Sequence, residues 1–320
     1  MTELERKYKM RSKNLSCCRK NRGGFVLLSV LILGTVLISC ATAFTWFVRI
    51  QVRSLGRQRA NLEARTMAQL FANNVINLLG EMSNQFKSDN PTQRWFQPFV
   101  INMNDLGIWV VQVRPLDDKF PIGNLFLPDK NTLRREFSKP WEEMWDKLGH
   151  RELAMPVLDF LDKNERPRVG GVERESYINR PPLDISEMLI MSEDITPEIL
   201  YGGNGHKGLA DYCTVFSDGR INLNYAPVEV LELLPGLDSG LAARIVSDRK
   251  DKPLESLADV QTLPGASPRT AIQLTNLVTF KSRYFELRIE SLQTGDMPGG
   301  VAFNIIFDRN SRKILRWEES

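Results

Sequence analysis

The 24 residues from Phe25 to Val48 contain no Asp, Glu, Lys, Arg or His. At ~1.5 Å of rise per residue, a helix of that length crosses a hydrocarbon core of ~30 Å. One membrane span is therefore expected over residues 25–48. Ahead of it stand Arg6, Lys7, Lys9, Arg11, Lys13, Arg19, Lys20 and Arg22, against Glu3 and Glu5 alone. The positive-inside rule then places the N-terminus in the cytoplasm and the bulk of the chain on the far side.

The junction itself reads Arg22-Gly23-Gly24-Phe25, with the apolar run beginning at once. A basic leader ending in Gly-Gly-Phe resembles the signal of type IV pilins and type II secretion pseudopilins. The resemblance implies a leader of residues 1–24, removed by a prepilin peptidase between Gly24 and Phe25, with the apolar segment retained. An ordinary secretory signal is cut after its apolar region instead. Two other readings stay open: Leu37-Ile38-Ser39-Cys40-Ala41 approximates a lipobox, and a plain signal-anchor explains the hydrophobicity equally well. Against the lipobox, Phe44, Trp46, Phe47 and Val48 continue the apolar run beyond Cys40.

The chain has 320 residues and a net charge of +3, much of it in the leader. The exported part is nearly neutral, which gives no electrostatic case for a nucleic-acid partner across the whole domain. Of four cysteines, Cys17 and Cys18 lie in the leader and Cys40 in the span, so Cys213 is alone outside. No intramolecular disulfide can form there, and stability must come from packing or a metal.

From Arg49 to about Phe86 no proline interrupts the sequence, and Leu55, Leu62, Ala68, Leu70, Phe71, Val75, Leu78 and Leu79 recur three to four apart. This predicts one continuous helix of about 60 residues with a packed face, half in lipid. Gly107 to Arg114 reads as a strand of β-branched and aromatic residues. Helical spacing returns at 130–148 and 153–161. Strands follow at Tyr284–Leu292, Val301–Asp308 and Lys313–Trp317, with turns at Gly295 to Gly300 and at Asn310-Ser311. The expected fold class is α+β: a pilin-like long helix and antiparallel sheet, split by a large inserted α-helical domain. The boundaries are a first pilin-like part at 49–125, the insertion at 126–280 and closing strands at 281–320.

Within the insertion, Asp218 to Ala226 and Pro227 lead to a helix stopping at Leu234-Pro235-Gly236-Leu237, and a second helix follows from Leu241 to Arg249. The unit repeats through Pro253, Ser256 to Val260, Leu263-Pro264-Gly265 and a helix from Arg269. Residues 218–280 resemble tandem helix-hairpin-helix units, whose hairpin glycines, here Gly236 and Gly265, permit the tight turn. Nucleic-acid binders of that class carry a second glycine where Asp238 and Ser267 stand here. The acid would repel phosphate, and Asp248, Asp251, Glu255 and Asp259 interleave with Arg244, Arg249, Lys250 and Arg269, so nucleic-acid contact is disfavoured against a structural or protein-binding role.

Upstream come Val157-Leu158-Asp159-Phe160-Leu161-Asp162-Lys163-Asn164, Gly170-Gly171-Val172-Glu173, Tyr177, Pro181-Pro182, Ile185 to Leu189 and Ile195 to Leu200. With Asp218 to Gly236, this order resembles the K-type minor pseudopilins of bacterial type II secretion systems (general secretion pathway protein K), from Phe25 to about Val278. Major pseudopilins carry a glutamate at the fifth mature residue, which is Ser29 here. The resemblance implies a non-catalytic subunit at the pseudopilus tip, in the inner membrane with its bulk periplasmic. It would prime assembly for export across the outer membrane, with other minor pseudopilins, the major pseudopilin and the prepilin peptidase as partners. An anchored helix-hairpin-helix DNA-uptake protein of competence type is the alternative.

Asp159, Asp162, Asn164 and Glu173 offer hard oxygen ligands around a glycine-bearing loop, as calcium prefers. The spacing is not an EF-hand, and Arg166, Arg168 and Arg174 are available to pair with the same acids. Calcium and a capping or salt-bridge role both remain open. No nucleophile–base set, phosphate loop or zinc-protease signature is present, and His150 and His206 are the only histidines. No enzyme activity is expected.

Overall fold

The computed structural model describes residues 22–103, 107–191, 193–203, 205–292 and 300–320. The leader up to Asn21 and most of the glycine-rich turn at 295–300 fall outside the described residues. The protein comprises two compact units, Met1–Glu63 and Ala64–Ser320. The first helix, α1, runs over Arg22–Met82, close to the length that the missing prolines predict.

In the first unit, every side chain from Phe25 to Val48 except Gly34 is exposed, and the helix is long and apolar enough to cross a membrane. Its hydroxyls are satisfied locally. Thr35, Ser39, Thr42 and Thr45 each donate to a main-chain oxygen three or four residues back, at 2.8–2.9 Å. In hydrocarbon no water can take that role.

The second unit holds the C-terminal end of α1 against a five-stranded antiparallel sheet, ordered β1-β2-β7-β8-β9. The strands are β1 (Phe99–Asn102), β2 (Ile108–Pro115), β7 (Tyr284–Leu292), β8 (Ala302–Asp308) and β9 (Lys313–Glu319). Period-two alternation turns Trp109, Val111 and Val113, then Phe285, Leu287 and Ile289, then Phe303, Ile305 and Phe307 to one face. Register places Val113 opposite Leu287 and Phe285 opposite Phe307. The sequence predicts one strand before the helical stretch. There are two, because β1 is a four-residue edge strand right after Pro98, too short to declare a period.

The helix meets this face partly as expected, through Ala68, Val75 and Leu79, and partly not. The buried residues are Ala64, Ala68, Ala72, Val75, Ile76 and Leu79, spaced three and four apart, while Leu70 is 50% and Leu78 45% exposed. Leu55 and Leu62 are exposed as well. Two residues' displacement from Ala68 or Ile76 is more than half a turn, which puts Leu70 and Leu78 on the opposite side. Small residues line the contact because bulk comes from the sheet: Trp109 lies edge-on to Phe71, ring centres 5.6 Å apart.

Residues 116–283 intervene between β2 and β7, which are neighbours. They build a second core from α2 (Arg135–Lys147), α3 (Ala154–Leu161), α4 (Pro197–Tyr201), α5 (Leu209–Tyr212), α6 (Val228–Leu231), α7 (Ser239–Asp248), α8 (Leu257–Gln261) and α9 (Pro268–Leu274). Three two-residue bridging pieces accompany β3 (Phe120–Pro121): β4 (Cys213–Thr214), β5 (Ile221–Asn222) and β6 (Val278–Thr279). Phe120, Ile122 and Leu125 pack in this second core rather than against the sheet. The departure from the sheet therefore falls at Pro115, about ten residues before the expected boundary, since the prolines after it end the strand without ending its apolar character. Phe137, Trp141 and Trp145 recur on one face of α2 and are fully buried, and the Trp141 indole donates to the Ala154 carbonyl at 2.7 Å.

Candidate functional site

The segment from Ile221 to Thr279 is closed on itself by a parallel bridge, with Ile221 opposite Val278 and Asn222 opposite Thr279. Between the closing strands lie two helix pairs, α6–α7 and α8–α9. Both intervening turns use a glycine in the left-handed region, Gly236 at φ 82° and Gly265 at φ 94°. There an L side chain would be strained. The two positions differ in their surroundings. A Cβ on Gly236 would stand 3.3 Å from the Thr270 Cα, so this glycine also lets the first turn approach α9; Gly265 faces open space.

The N-termini of α7 and α9 are capped by the chain's own side chains. The Asp238 carboxylate accepts from the Leu241 amide at 2.7 Å, and the Ser267 hydroxyl accepts from the Thr270 amide at 3.2 Å. Asp259 accepts from the Glu255 and Ser256 amides ahead of α8. Asp238 and Ser267 are N-caps and Asp259 reaches back to the amides ahead of α8, so one amide that could meet a phosphate is engaged at each of α7 and α9. Of the basic residues, Arg249 turns inward and donates to the Leu223 and Ala226 carbonyls at 2.6 and 2.7 Å, and burial pulls it down to about 10. Arg244, Lys250 and Arg269 are exposed. Asn224, fully buried, ties the linker between the pairs by accepting from the Leu254 amide and donating to the Leu254 carbonyl.

The acidic loop lies at the end of α3. Asp159 and Asp162 are both fully buried. Asp159 accepts from the Arg168 amide at 3.1 Å, and the Arg168 guanidinium reaches Asp159 at 3.4 Å and Asp162 at 2.5 Å. Asn164 instead closes a turn, accepting from the Arg166 amide at 2.8 Å. Arg174 pairs with Glu193 and Asp194. A side chain on Gly171 would collide with the Asp159 carboxylate. Glu173 Oε1, Tyr177 Oη and Asn179 Oδ1 are buried without a hydrogen-bond partner. Burial, then the charges of Asp159, Asp162 and Glu165, push Glu173 up to about 7. Arg168 thus answers the two aspartates and offsets only part of the burial and like charge that raise Glu173. Among the described residues, no group of three or more His, Cys, Asp or Glu side chains is placed to hold a metal as the loop stands.

The remaining sequence candidates are separate from these two regions. Gly24 and Phe25 lie in α1, and Phe25 is 73% exposed. The Ser29 hydroxyl donates to the Val26 carbonyl at 2.9 Å, leaving no charge at that depth of the helix. Cys213 is buried 3.4 Å from the Met144 sulfur, and burial pushes its thiol well up, the wrong direction for a nucleophile. Sequence reasoning overlooks the buried carboxylates Asp89 and Asp117, both 6% exposed or less. Their sole signal is an acid beside a turn-forming proline or at a strand end, which many exposed acids share.

Residues 221–280, almost the same span that the β5–β6 bridge closes, match the family described as Type II secretion system (T2SS), protein K. Among solved structures, the fold is similar to a chain in the crystal structure of the GspK-GspI-GspJ complex from the enterotoxigenic Escherichia coli Type 2 Secretion System. That match has a TM-score of 0.60 and 18% identity, covering 84% of this chain and 99% of the other. No curated protein matches the chain.

Proposed function

We propose that this chain, a K-type minor pseudopilin of the type II secretion system, occupies the tip of the pseudopilus, where it primes assembly of the shaft and so supports export across the outer membrane. The observation that carries the reading is the coincidence of the protein K match with a self-closed pair of helix pairs, set between two neighbouring strands of a helix-and-sheet fold. Ser29 supports the position. A subunit with a neighbour above would use a carboxylate there, and an unpaired carboxylate is costly in lipid. The basic leader supports an inner-membrane, single-pass topology with residues 49–320 periplasmic. The helix pairs serve as helix-hairpin-helix units turned to protein scaffolding. Their capped N-termini and inward Arg249 speak against the DNA-uptake alternative.

The similarity to a chain of the GspK-GspI-GspJ complex motivates two other minor pseudopilins as partners. Co-expression should yield a ternary complex, and deleting the gene should reduce pseudopilus initiation and export of folded substrates. Undiminished secretion in the deletion strain would refute the tip role. Intact-mass analysis should find a mature chain beginning at Phe25. A lipidated chain beginning at Cys40 would remove most of the membrane half of α1 and with it the reading. Salt-dependent duplex binding by the purified protein would favour the DNA alternative.

Calcium is a second proposal for the loop. Glu173 with its unpartnered oxygen, beside buried Asp159 and Asp162, supplies the hard oxygen set such an ion needs once Arg168 moves aside. A chelator should then lower the melting temperature, because an ion bound only to the native state stabilises it, by about 2.7 kcal/mol at 100-fold over Kd. An unchanged melt leaves Arg168 as the cation that answers Asp159 and Asp162.

A further inference from the structure

The intervening segment leaves the sheet after β2 and returns before β7, and the two crossings are stapled by carboxylates of unlike kind. Asp89 is 6% exposed. Its Oδ1 accepts from the Arg309 guanidinium at 2.9 Å and its Oδ2 from the Ser282 amide at 2.7 Å, while its own amide donates to the Phe280 carbonyl. This staple is charge-paired. Asp117 is fully buried on the outgoing crossing. Its Oδ2 accepts from the Arg283 amide of the returning crossing at 2.6 Å, its carbonyl accepts from the Asn222 amide at 2.7 Å, and its Oδ1 has no partner.

Among the described residues, no cation answers Asp117. The Arg283 guanidinium is engaged by Asp308 at 2.7 and 3.1 Å. Tyr284 presents its amide, its phenol is itself pushed up in part by the Asp117 charge, and the charges acting on Asp117 are those of Asp218 and Asp118. Arg114 and Lys119 act on Asp118 instead. A lone carboxylate in such a place is unfavourable, whereas a neutral carboxyl is tolerated. Burial first, with Asp218 and Asp118 adding to it, holds this group well above the usual carboxylate range despite the two amides that favour its charge.

We propose that Asp117 is a proton-operated staple: uncharged while the joint between sheet and intervening segment is closed, and loosening that joint when it ionises. The sign follows from linkage. A carboxyl whose closed-state value is raised stabilises the closed joint fully at pH below its ordinary range, and that contribution is lost as pH rises through the raised value. Opening of the joint therefore grows by up to about tenfold per pH unit through that window, then levels off. Asp89, held by Arg309, ties the returning crossing through a paired charge. The inference concerns the joint alone and stands whichever position the subunit takes in the assembly.

The test is native-state hydrogen exchange on the full chain in detergent, from pH 4.5 to 8, corrected for intrinsic rates. The amides of Leu116, Asn222 and Arg283 report the joint, and those of β7 and β8 report the sheet. Expected is a pH-dependent loss of protection at the three joint amides that Asp117→Asn abolishes, leaving protection high throughout. Asp89→Asn removes the charge paired with Arg309 and should lower joint protection without abolishing its pH dependence. A flat wild-type profile at the joint overturns the proposal, as does pH dependence that survives Asp117→Asn. Should that variant not fold, the wild-type profile decides alone.

Discussion

The two cores of the Ala64–Ser320 unit are built on different terms. Around the sheet, main-chain ladders satisfy nearly every polar group, and side chains are left to fill space: Trp109, Phe285, Phe303 and Phe307 are fully buried apolar bulk. In the intervening segment the helices are short, α5 and α6 being four residues each, so many main-chain groups have no regular partner. Side chains take over that role. Asn124 donates to the Ser217 carbonyl, Lys119 to that of Ala210, Trp141 to that of Ala154, and Arg249 and Asn224 hold the helix pairs. A core of long strands tolerates exchange of one apolar group for another of similar volume; a core of short helices depends on particular polar atoms as well.

That contrast can be tested by substitution, beginning where the effect is largest. Trp141→Ala should cost about 3–5 kcal/mol for lost packing alone, and it also strips the Ala154 carbonyl of its donor. Because both cores lie in one compact unit, a urea melt should still show a single transition at lower midpoint. A two-step melt would mean that the cores are separable. Arg309→Leu leaves Asp89 as a buried unpaired charge and should cost about 3–5 kcal/mol, with partial recovery in the Asp89→Asn, Arg309→Leu double variant. No recovery would indicate that Arg309 acts through packing over Phe285 rather than through charge.

The smallest effect sharpens the comparison within the segment. Gly236→Ala and Gly265→Ala both force alanine into the left-handed region, about 1–2 kcal/mol. The first also drives a methyl group toward Thr270 and Gln273, adding about 1–3 kcal/mol of overpacking. Equal losses in the two variants would show that the two helix pairs do not lean on each other at Gly236.

The same contrast decides what could be read in advance. Strands β7, β8 and β9 were legible because alternation such as Phe285, Leu287, Ile289 is unambiguous, and β7 begins and ends where the sequence places it. Gly236 and Gly265 stand in left-handed turns, a conformation that leaves few substitutes for glycine. What stayed hidden depends on a third dimension. Apart from Ala68, the alanine face of α1 looks inert in sequence beside Leu55, Leu62, Leu70 and Leu78, yet it faces a sheet that supplies the bulk. Arg168, between Asp159 and Asp162, and Arg309, beside Asp89, are ordinary surface residue types until distant chain brings acids to them. Asp117 is marked only as an acid just past a strand end, as many exposed acids are.

One consequence of the sheet order concerns time rather than stability. The β2–β7 ladder begins at Pro115 opposite Phe285 and ends at Ile108 opposite Leu292, so no pair in it can form until the whole intervening stretch has been drawn in. Closing a loop costs only ~0.6 kcal/mol per doubling of its length once flexible, but a search over so many residues is slow, and topologies of this kind fold late. The chain is therefore expected to collapse the intervening segment first, sealing it with the short β5–β6 bridge. That shrinks the distance between Pro115 and Tyr284 before the central strands ever meet. Pulse-labelling during refolding should then find amides of α2 and α7 protected ahead of those of β7.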